Sequence, residues 1–190
     1  MKPLLDEEKI EGTKEFYMKI HNVEMEYLEY WKENTLWHWE YWLSVFLTLF
    51  PWVLWIMFRK RGSEARLLLA GSIVIIISSW LDFLGVILGL WHYTGKALPT
   101  IPTYVPWDIT LLPVTIMFWL QYKPDANPFL KAIIFAGMTA FIGEPLFKWL
   151  GLYATDHWKA IYSFPIYIVI YLIVYRISIA KTFEPLAAKK

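Results

Sequence analysis

The chain has 190 residues, of which 57% are hydrophobic and only 18% are charged. Most of the charge lies in the first 35 residues, in short connections and at the carboxyl end, which leaves long apolar stretches that a soluble domain of this size has no core large enough to bury. The formal net charge of +1 argues against a nucleic-acid partner, and the absence of cysteine excludes disulfides, thiolate metal sites and a cysteine nucleophile.

The first segment, residues 1–35, is predicted to be an amphipathic helix that lies outside the membrane or on its surface. Its apolar residues recur at alternating spacings of four and three, which places on one helix face Phe16, Ile20, Val23, Tyr27 and Tyr30. An interfacial helix would rest this face on the membrane or on the rest of the protein. The alternative is a docking surface for a partner membrane protein or for a second copy of the chain.

The segment 36–182 is predicted to be a bundle of about five transmembrane helices, so the expected fold class is an all-α polytopic membrane protein. Each predicted span approaches or exceeds the roughly 20 residues needed to cross the hydrocarbon, and the spans are 36–58, 67–91, 104–122, 128–152 and 158–180. The third span is the shortest. A kinked or re-entrant start is predicted for it by Pro99, Pro102, Pro106 and Pro113.

Lysine and arginine residues predict the orientation of the bundle. They are concentrated on one side, at Arg59, Lys60, Arg61, Arg66, Lys123, Lys131, Arg176, Lys181, Lys189 and Lys190. By the positive-inside rule this side is cytoplasmic. The amino terminus is then expected outside, and the carboxyl terminus inside with a cytoplasmic tail at residues 183–190.

Acidic residues inside the predicted spans are the first candidates for a functional site. A charged side chain in hydrocarbon costs at least roughly 2.5 kcal/mol, so it normally faces the bundle interior. Asp82 lies on a stripe of small and polar residues in the second span, and Asp108 opens the third span directly after Trp107. Neither acid has a basic residue on its own face within a turn. Each must therefore find a partner on another helix, hold a proton or meet water.

The fourth span carries Glu144 with Lys148 one turn later, the favourable order for an ion pair, and we expect the two to pair toward the bundle interior. The predicted orientation puts the three acids in the outer half of the membrane, among tryptophan and tyrosine residues. The sequence therefore predicts that they converge on one water-reachable pocket. The predicted ligand-binding residues are Asp82, His92, Trp107, Asp108, Glu144, Lys148 and Trp158.

Three groups of residues carry a resemblance to a known family. They are Pro106, Trp107, Asp108, Thr110 and Pro113; then Glu144, Lys148, Gly151 and Tyr153; and finally Trp158, Tyr162 and Ser163. In these positions the last two thirds of the chain resemble an uncharacterised family of small multi-spanning membrane proteins from spore-forming relatives of Bacillus. The resemblance implies a membrane fold in the bacterial cytoplasmic membrane, without a particular chemistry. It picks out Asp108, Glu144 and Trp158.

Three functions are compatible with these patterns. A pocket of carboxylates and aromatic rings would bind or transport a cationic or amphiphilic small molecule, because acids attract cations and aromatic faces add cation–π contacts. A structural or accessory subunit would use its acids and small residues only to hold helices together. A membrane enzyme acting on a lipid or isoprenoid would use a carboxylate as general acid or base, but no nucleophile–base pair supports it. We favour binding or transport, with membrane lipids as the other partners, and expect no catalytic residue, cofactor or metal.

Overall fold

The computed structural model describes residues 4–155 and 157–180, and these are mostly helical. The α-helices of this part are α1 (Glu7–Asn34), α2 (Trp39–Phe58), α3 (Glu64–Ile87), α4 (Leu112–Gln121), α5 (Pro128–Met138), α6 (Glu144–Trp149) and α7 (Ala160–Ser178). π-Helical turns at Pro106–Leu111 and Thr139–Gly143 precede α4 and α6. The predicted tail at 183–190 lies outside the described residues, as do Lys181, Lys189 and Lys190.

Two short strands, β1 (Trp91–Tyr93) and β2 (Tyr153–Thr155), form an antiparallel pair in which His92 is opposite Ala154. The prediction of a helical fold is confirmed, and this small sheet was not predicted. Each strand has only three residues, too few for the alternation of polar and apolar residues that reveals a strand in a sequence.

Helix α1 has almost no contact with the bundle. It begins after Asp6, whose carboxylate accepts a hydrogen bond from the backbone N–H of Glu8 at 3.3 Å. The predicted apolar stripe is exposed, and Trp31 near the carboxyl end is the single buried residue of the helix. Trp31 Nε1 donates to the backbone carbonyl of Lys96 at 2.7 Å. The helix is thus attached to the rest of the protein at one end.

The described residues contain four helical segments long and apolar enough to cross a membrane: α2, α3, the continuous Pro128–Trp149 segment and α7. Only 17% to 39% of each apolar window is buried inside the protein. The remaining surface carries large apolar side chains, which are unfavourable in water and suited to contact with hydrocarbon. These properties indicate a multi-pass membrane protein.

The predicted third span, 104–122, differs from the other four. Its helical part is a six-residue π-helical turn followed by the ten residues of α4, which is too short to count as a span. Proline explains the late start, because Pro106 has no backbone N–H and fits only the first turn of a helix. The described part of the chain therefore has four candidate spans where five were predicted. Six of the ten residues of α4 are buried, so this helix lies inside the bundle.

The main core lies between α3, α4, α5 and α7. Helix α5 packs along α7, and α3 packs against both α4 and α7. The small and polar stripe of α3 is part of this interface, since Ser78, Asp82 and Gly85 are all buried. Ser78 Oγ donates to the backbone carbonyl of Asp108 at 3.1 Å and so joins α3 to the π-helical turn before α4.

Residues 94–105, which we call the cap, cover one end of the bundle between β1 and the first π-helical turn. Several hydrogen bonds hold the cap in place: Thr94 N donates to the carbonyl of Leu152 at 3.1 Å, and Ser44 Oγ donates to the carbonyl of Gly95 at 2.6 Å. The buried amino group of Lys96 donates to the cap's own carbonyls at Ile101 and Pro102. The cap is therefore an ordered part of the fold although it has no regular secondary structure.

Candidate functional site

A cavity lies under the cap, between the second half of α3, the first π-helical turn, α6 and the first half of α7. It contains about 650 Å³ of atom-free space when its open mouth is included. Eight of its seventeen lining residues are aromatic: Trp91, Tyr93, Tyr104, Trp107, Phe147, Tyr153, Trp158 and Tyr167. The three acids predicted to converge all line it as well. The cavity is thus a pocket of carboxyl groups and aromatic rings.

Five of the seven predicted ligand-binding residues line the cavity: Asp82, Trp107, Asp108, Glu144 and Trp158. His92 and Lys148 do not. Side chains alternate along β1, so Trp91 and Tyr93 line the cavity while His92 between them is exposed on the other side of the strand. The predicted second span ends at Trp91, and three residues are too few for the sequence to reveal the strand that begins there.

The prediction that Glu144 and Lys148 form an ion pair is wrong, because the ion pairs of the described residues do not include it. Lys148 Nζ instead donates to Thr155 Oγ1 at 2.7 Å and lies 5.4 Å from the centroid of the Tyr153 ring. The physical reason is the strand β2. It follows α6 closely and brings a neutral acceptor and an aromatic face to the lysine.

Asp82 and Asp108 form a close acid pair. Asp82 Oδ2 and Asp108 Oδ2 accept hydrogen bonds from the same donor, the backbone N–H of Tyr104, at 3.0 and 3.2 Å. The shared donor holds the two carboxyl groups close together. Two ionised carboxylates in a buried site repel each other, so this arrangement favours a pair that holds one proton.

Side chains of the cap and of β1 donate further hydrogen bonds to the acid pair. Asp82 Oδ1 accepts from Trp91 Nε1 at 2.8 Å and from the Tyr93 hydroxyl at 2.5 Å. Asp108 Oδ2 accepts from Thr103 Oγ1 at 2.7 Å. Burial, together with the two acids, raises the pKa of Tyr93 well above its usual value, so this hydroxyl keeps its proton and remains a donor.

Lys96 is the cation nearest to the acid pair in the cap. Its side chain is 8% exposed, and burial lowers the pKa of its amino group, while the charges of Asp82 and Asp108 act in the opposite direction. Its hydrogen bonds go to the cap's carbonyls and not to either carboxyl group. Lys96 therefore holds the cap together and contributes a positive charge at medium range.

Glu144 is satisfied much less fully than the acid pair. It is 5% exposed, and its Oε1 accepts one hydrogen bond, from the Tyr167 hydroxyl at 3.2 Å. Ser163 lies close enough to interact with it, yet Oε2 has no partner at hydrogen-bonding geometry although it is buried. An unsatisfied buried carboxyl oxygen is unusual in a folded protein and needs an explanation.

Two glycines make room for the tryptophans of the cavity. A Cβ atom at Gly85 would lie 1.9 Å from the Trp91 ring, and one at Gly143 would lie 2.7 Å from the Trp107 ring. Each indole thus packs directly against a helix backbone. Trp91 and Trp158 in turn meet edge to face, with their ring centroids 5.0 Å apart. Rings held in this way form a wall that is in place before any ligand arrives.

Sequence reasoning missed the residues that organise the acids. The backbone N–H of Tyr104 and the hydroxyls of Thr103 and Tyr167 are donors to the three carboxyl groups. The available signal was the position of Thr103 and Tyr104 just before a helix that begins at Pro106 and contains an acid.

The arrangement is suited to binding a cation and not to holding a metal ion by several ligands. Throughout residues 4–155 and 157–180, no three or more histidine, aspartate and glutamate side chains are grouped closely enough to hold a metal. Three of the four carboxyl oxygens of the acid pair accept hydrogen bonds from the chain, and Glu144 Oε2 is a buried acceptor without a donor among the described residues. All three acids line the same aromatic-lined cavity.

Comparisons with protein-family models, with curated proteins and with solved structures found no match to this chain.

Proposed function

We propose that this protein is an integral membrane protein that binds, or carries across the bilayer, a small organic cation or cationic amphiphile in the cavity under the cap. The observation that carries the proposal is Glu144 Oε2, a buried carboxyl oxygen with no hydrogen-bond partner among the described residues, which belongs to a residue of the cavity wall. A cationic group placed there would supply the missing charge and contact.

The aromatic walls support an organic cation over an inorganic one. Indole and phenol faces attract positively charged groups within about 6 Å, and each such contact contributes roughly 0.5–2 kcal/mol when the group is desolvated. Alkyl groups on the ligand would also be removed from water against Trp107, Trp158 and Tyr153. A bare metal ion would gain little from these rings and would prefer several oxygen ligands.

The membrane setting is part of the proposal. Positively charged residues are concentrated at the end of the bundle away from the cap, at Arg59, Lys60, Arg61, Arg66 and Lys123. By the positive-inside rule the cavity would then open toward the outside of a bacterial cytoplasmic membrane, with the amino terminus on the same side. The family resemblance of the sequence fits this location and remains part of the proposal.

The test uses the full chain, purified in an uncharged maltoside detergent, because choline lipids would themselves compete as cations. Choline would be titrated against the intrinsic tryptophan fluorescence, and its neutral analogue, in which carbon replaces the nitrogen, would serve as the matched ligand. We expect saturable binding of choline that is at least about tenfold tighter than that of the analogue, since a buried acid and cation–π contacts recognise charge.

Trp158→Leu tests the contribution of the cavity wall, and Trp42→Leu is its matched control. Trp158 lines the cavity, whereas Trp42 is exposed on α2. The first substitution should weaken choline binding and the second should leave it unchanged. Equal binding of choline and its neutral analogue, or equal effects of the two substitutions, would contradict the proposed function.

One observation favours an accessory role as the second candidate. The apolar stripe of α1 is exposed along the helix, and Trp31 alone attaches the helix to the cap. An accessory subunit would use such a surface to contact a larger membrane protein. Absence of any cation binding in the titration above, with the protein folded, would favour this function.

A further inference from the structure

We propose that the cavity selects cations that carry an N–H group, and that Glu144 Oε2 is the atom that accepts this hydrogen bond. The inference rests on the proposed function, because it takes the cavity to be a cation site, and it adds the chemical class of the ligand. A protonated primary, secondary or tertiary amine would bind better than a quaternary ammonium ion of the same charge.

Most of the acid pair's hydrogen bonds are made by the chain itself. A carboxylate oxygen accepts about two hydrogen bonds. Asp82 Oδ1 has two donors, Trp91 and Tyr93, and Asp108 Oδ2 has two, Thr103 and the backbone N–H of Tyr104. Asp82 Oδ2 accepts one, from the same N–H of Tyr104. These donors are fixed by the cap and β1, so the pair serves mainly to hold the cap and the walls of the cavity in place.

Glu144 offers a buried acceptor whose capacity is unused. Its Oε1 is held by Tyr167, which fixes the direction of the carboxyl group, and its Oε2 is buried without a donor. The lysine one turn later donates to Thr155, and the hydroxyl of Ser163 accepts from Trp158 Nε1 at 2.8 Å. Ser163 lies close to the carboxyl group, but none of the described residues donates to Oε2 at hydrogen-bonding geometry.

The ring walls explain why the ligand carries alkyl groups as well as N–H. Trp107, Phe147 and Trp158 line the same cavity as Glu144. N-methyl groups carry part of the ammonium charge and would pack against these rings, while a single N–H points at Oε2. A quaternary ion can make the ring contacts but leaves the carboxyl oxygen without a donor. The difference in binding affinity between the two ions therefore measures the contribution of this hydrogen bond.

The experiment compares trimethylammonium, which has one N–H, with tetramethylammonium, which has none and differs by one methyl group. Both carry a full positive charge at neutral pH. Each would be titrated against the detergent-solubilised full chain by tryptophan fluorescence and by calorimetry. We expect trimethylammonium to bind at least about tenfold more tightly, as a charge-assisted hydrogen bond to a buried acceptor requires.

Glu144→Gln tests the acceptor. The amide oxygen of glutamine keeps the bond from Tyr167, but an NH₂ donor replaces Oε2. The preference for trimethylammonium should disappear in this variant and persist in Glu29→Gln, which removes the same charge from the exposed helix α1. If Glu144→Gln does not fold, as judged by near-ultraviolet circular dichroism, Glu144→Asp keeps the charge and withdraws the carboxyl group. The preference should then fall several-fold.

The outcomes separate the two proposals. Failure of both ions to bind would refute the proposed function itself. Equal binding of the two ions to the natural protein would leave the cation site in place and overturn the present inference, with Oε2 then satisfied by water or by Ser163. A preference that survives in Glu144→Gln or is undiminished in Glu144→Asp would also overturn it, because the N–H would then be recognised by another acceptor.

Discussion

Among the substitutions that add one methyl group to a transmembrane helix, Gly85→Ala should cause the largest loss in the free energy of unfolding. Gly85 lies on the buried face of α3, and a Cβ atom there would be 1.9 to 2.4 Å from three atoms of the Trp91 ring. Contacts that short cannot be relieved by a small adjustment, so the indole must move. Its movement would break the hydrogen bond from Trp91 Nε1 to Asp82 and the edge-to-face contact with Trp158.

The magnitude follows from the interactions that are lost. A hydrogen bond to a charged group contributes about 1.5–3 kcal/mol, and overpacking in a tight interface costs typically about 1–3 kcal/mol. Alanine recovers up to about 1 kcal/mol because it favours the helix more than glycine does. The net loss in the free energy of unfolding should therefore be about 2–5 kcal/mol for Gly85→Ala.

Two other glycines provide a graded series. At Gly143 the added Cβ would lie 2.7 Å from the edge of the Trp107 ring, and at Gly137 it would lie 3.9 Å from Phe164, an ordinary contact. Gly143→Ala should thus be intermediate, and Gly137→Ala should be neutral or stabilising by up to about 1 kcal/mol. Unfolding in mixed micelles of maltoside and dodecyl sulphate, followed by circular dichroism, measures all three. Equal stability of Gly85→Ala and Gly137→Ala would refute the reasoning.

Two further predictions concern topology and Lys148. Single-cysteine labelling from outside intact cells should reach a cysteine at Thr100 in the cap and not one at Gly62 between α2 and α3, and the reverse pattern would place the cavity on the cytoplasmic side. Lys148→Leu should destabilise by about 1 kcal/mol through loss of its bond to Thr155, and its effect should add to that of Glu144→Gln within about 0.5 kcal/mol in a double-mutant cycle. A coupling well above 1 kcal/mol would show that the lysine and the glutamate interact directly after all.

The acids and the apolar segments were predictable because both follow from the cost of transferring groups between water and hydrocarbon. Asp82, Asp108 and Glu144 stand out in apolar segments, and such residues face the interior wherever the bundle folds. The prolines near residue 104 predicted a kinked or re-entrant start of the third span, and the structure has a π-helical turn that begins at Pro106. These predictions need no knowledge of which helices are neighbours.

The cap and the small sheet could not be predicted in the same way. Their backbone follows no period, and their hydrogen bonds join residues far apart in the sequence, such as Ser44 with Gly95 and Trp31 with Lys96. Two misplaced site residues, His92 and Lys148, belong to these irregular parts or touch them. His92 lies in a strand, whose side chains alternate between its two sides, whereas Lys148 remains in α6 but donates to Thr155 of the strand that follows.

The acid pair and the cap depend on each other for physical reasons. The cap supplies Thr103 and the backbone N–H of Tyr104 to the carboxyl groups, and without these donors two buried acids would be left in contact. The acids in turn satisfy an N–H in a segment that has no regular partner. Because Trp31 of α1 also donates to the cap at Lys96, the cap joins the exposed helix to the acid pair that lines the cavity. A change at the end of α1 should therefore reach the cavity through the cap, although the two are separated in the sequence.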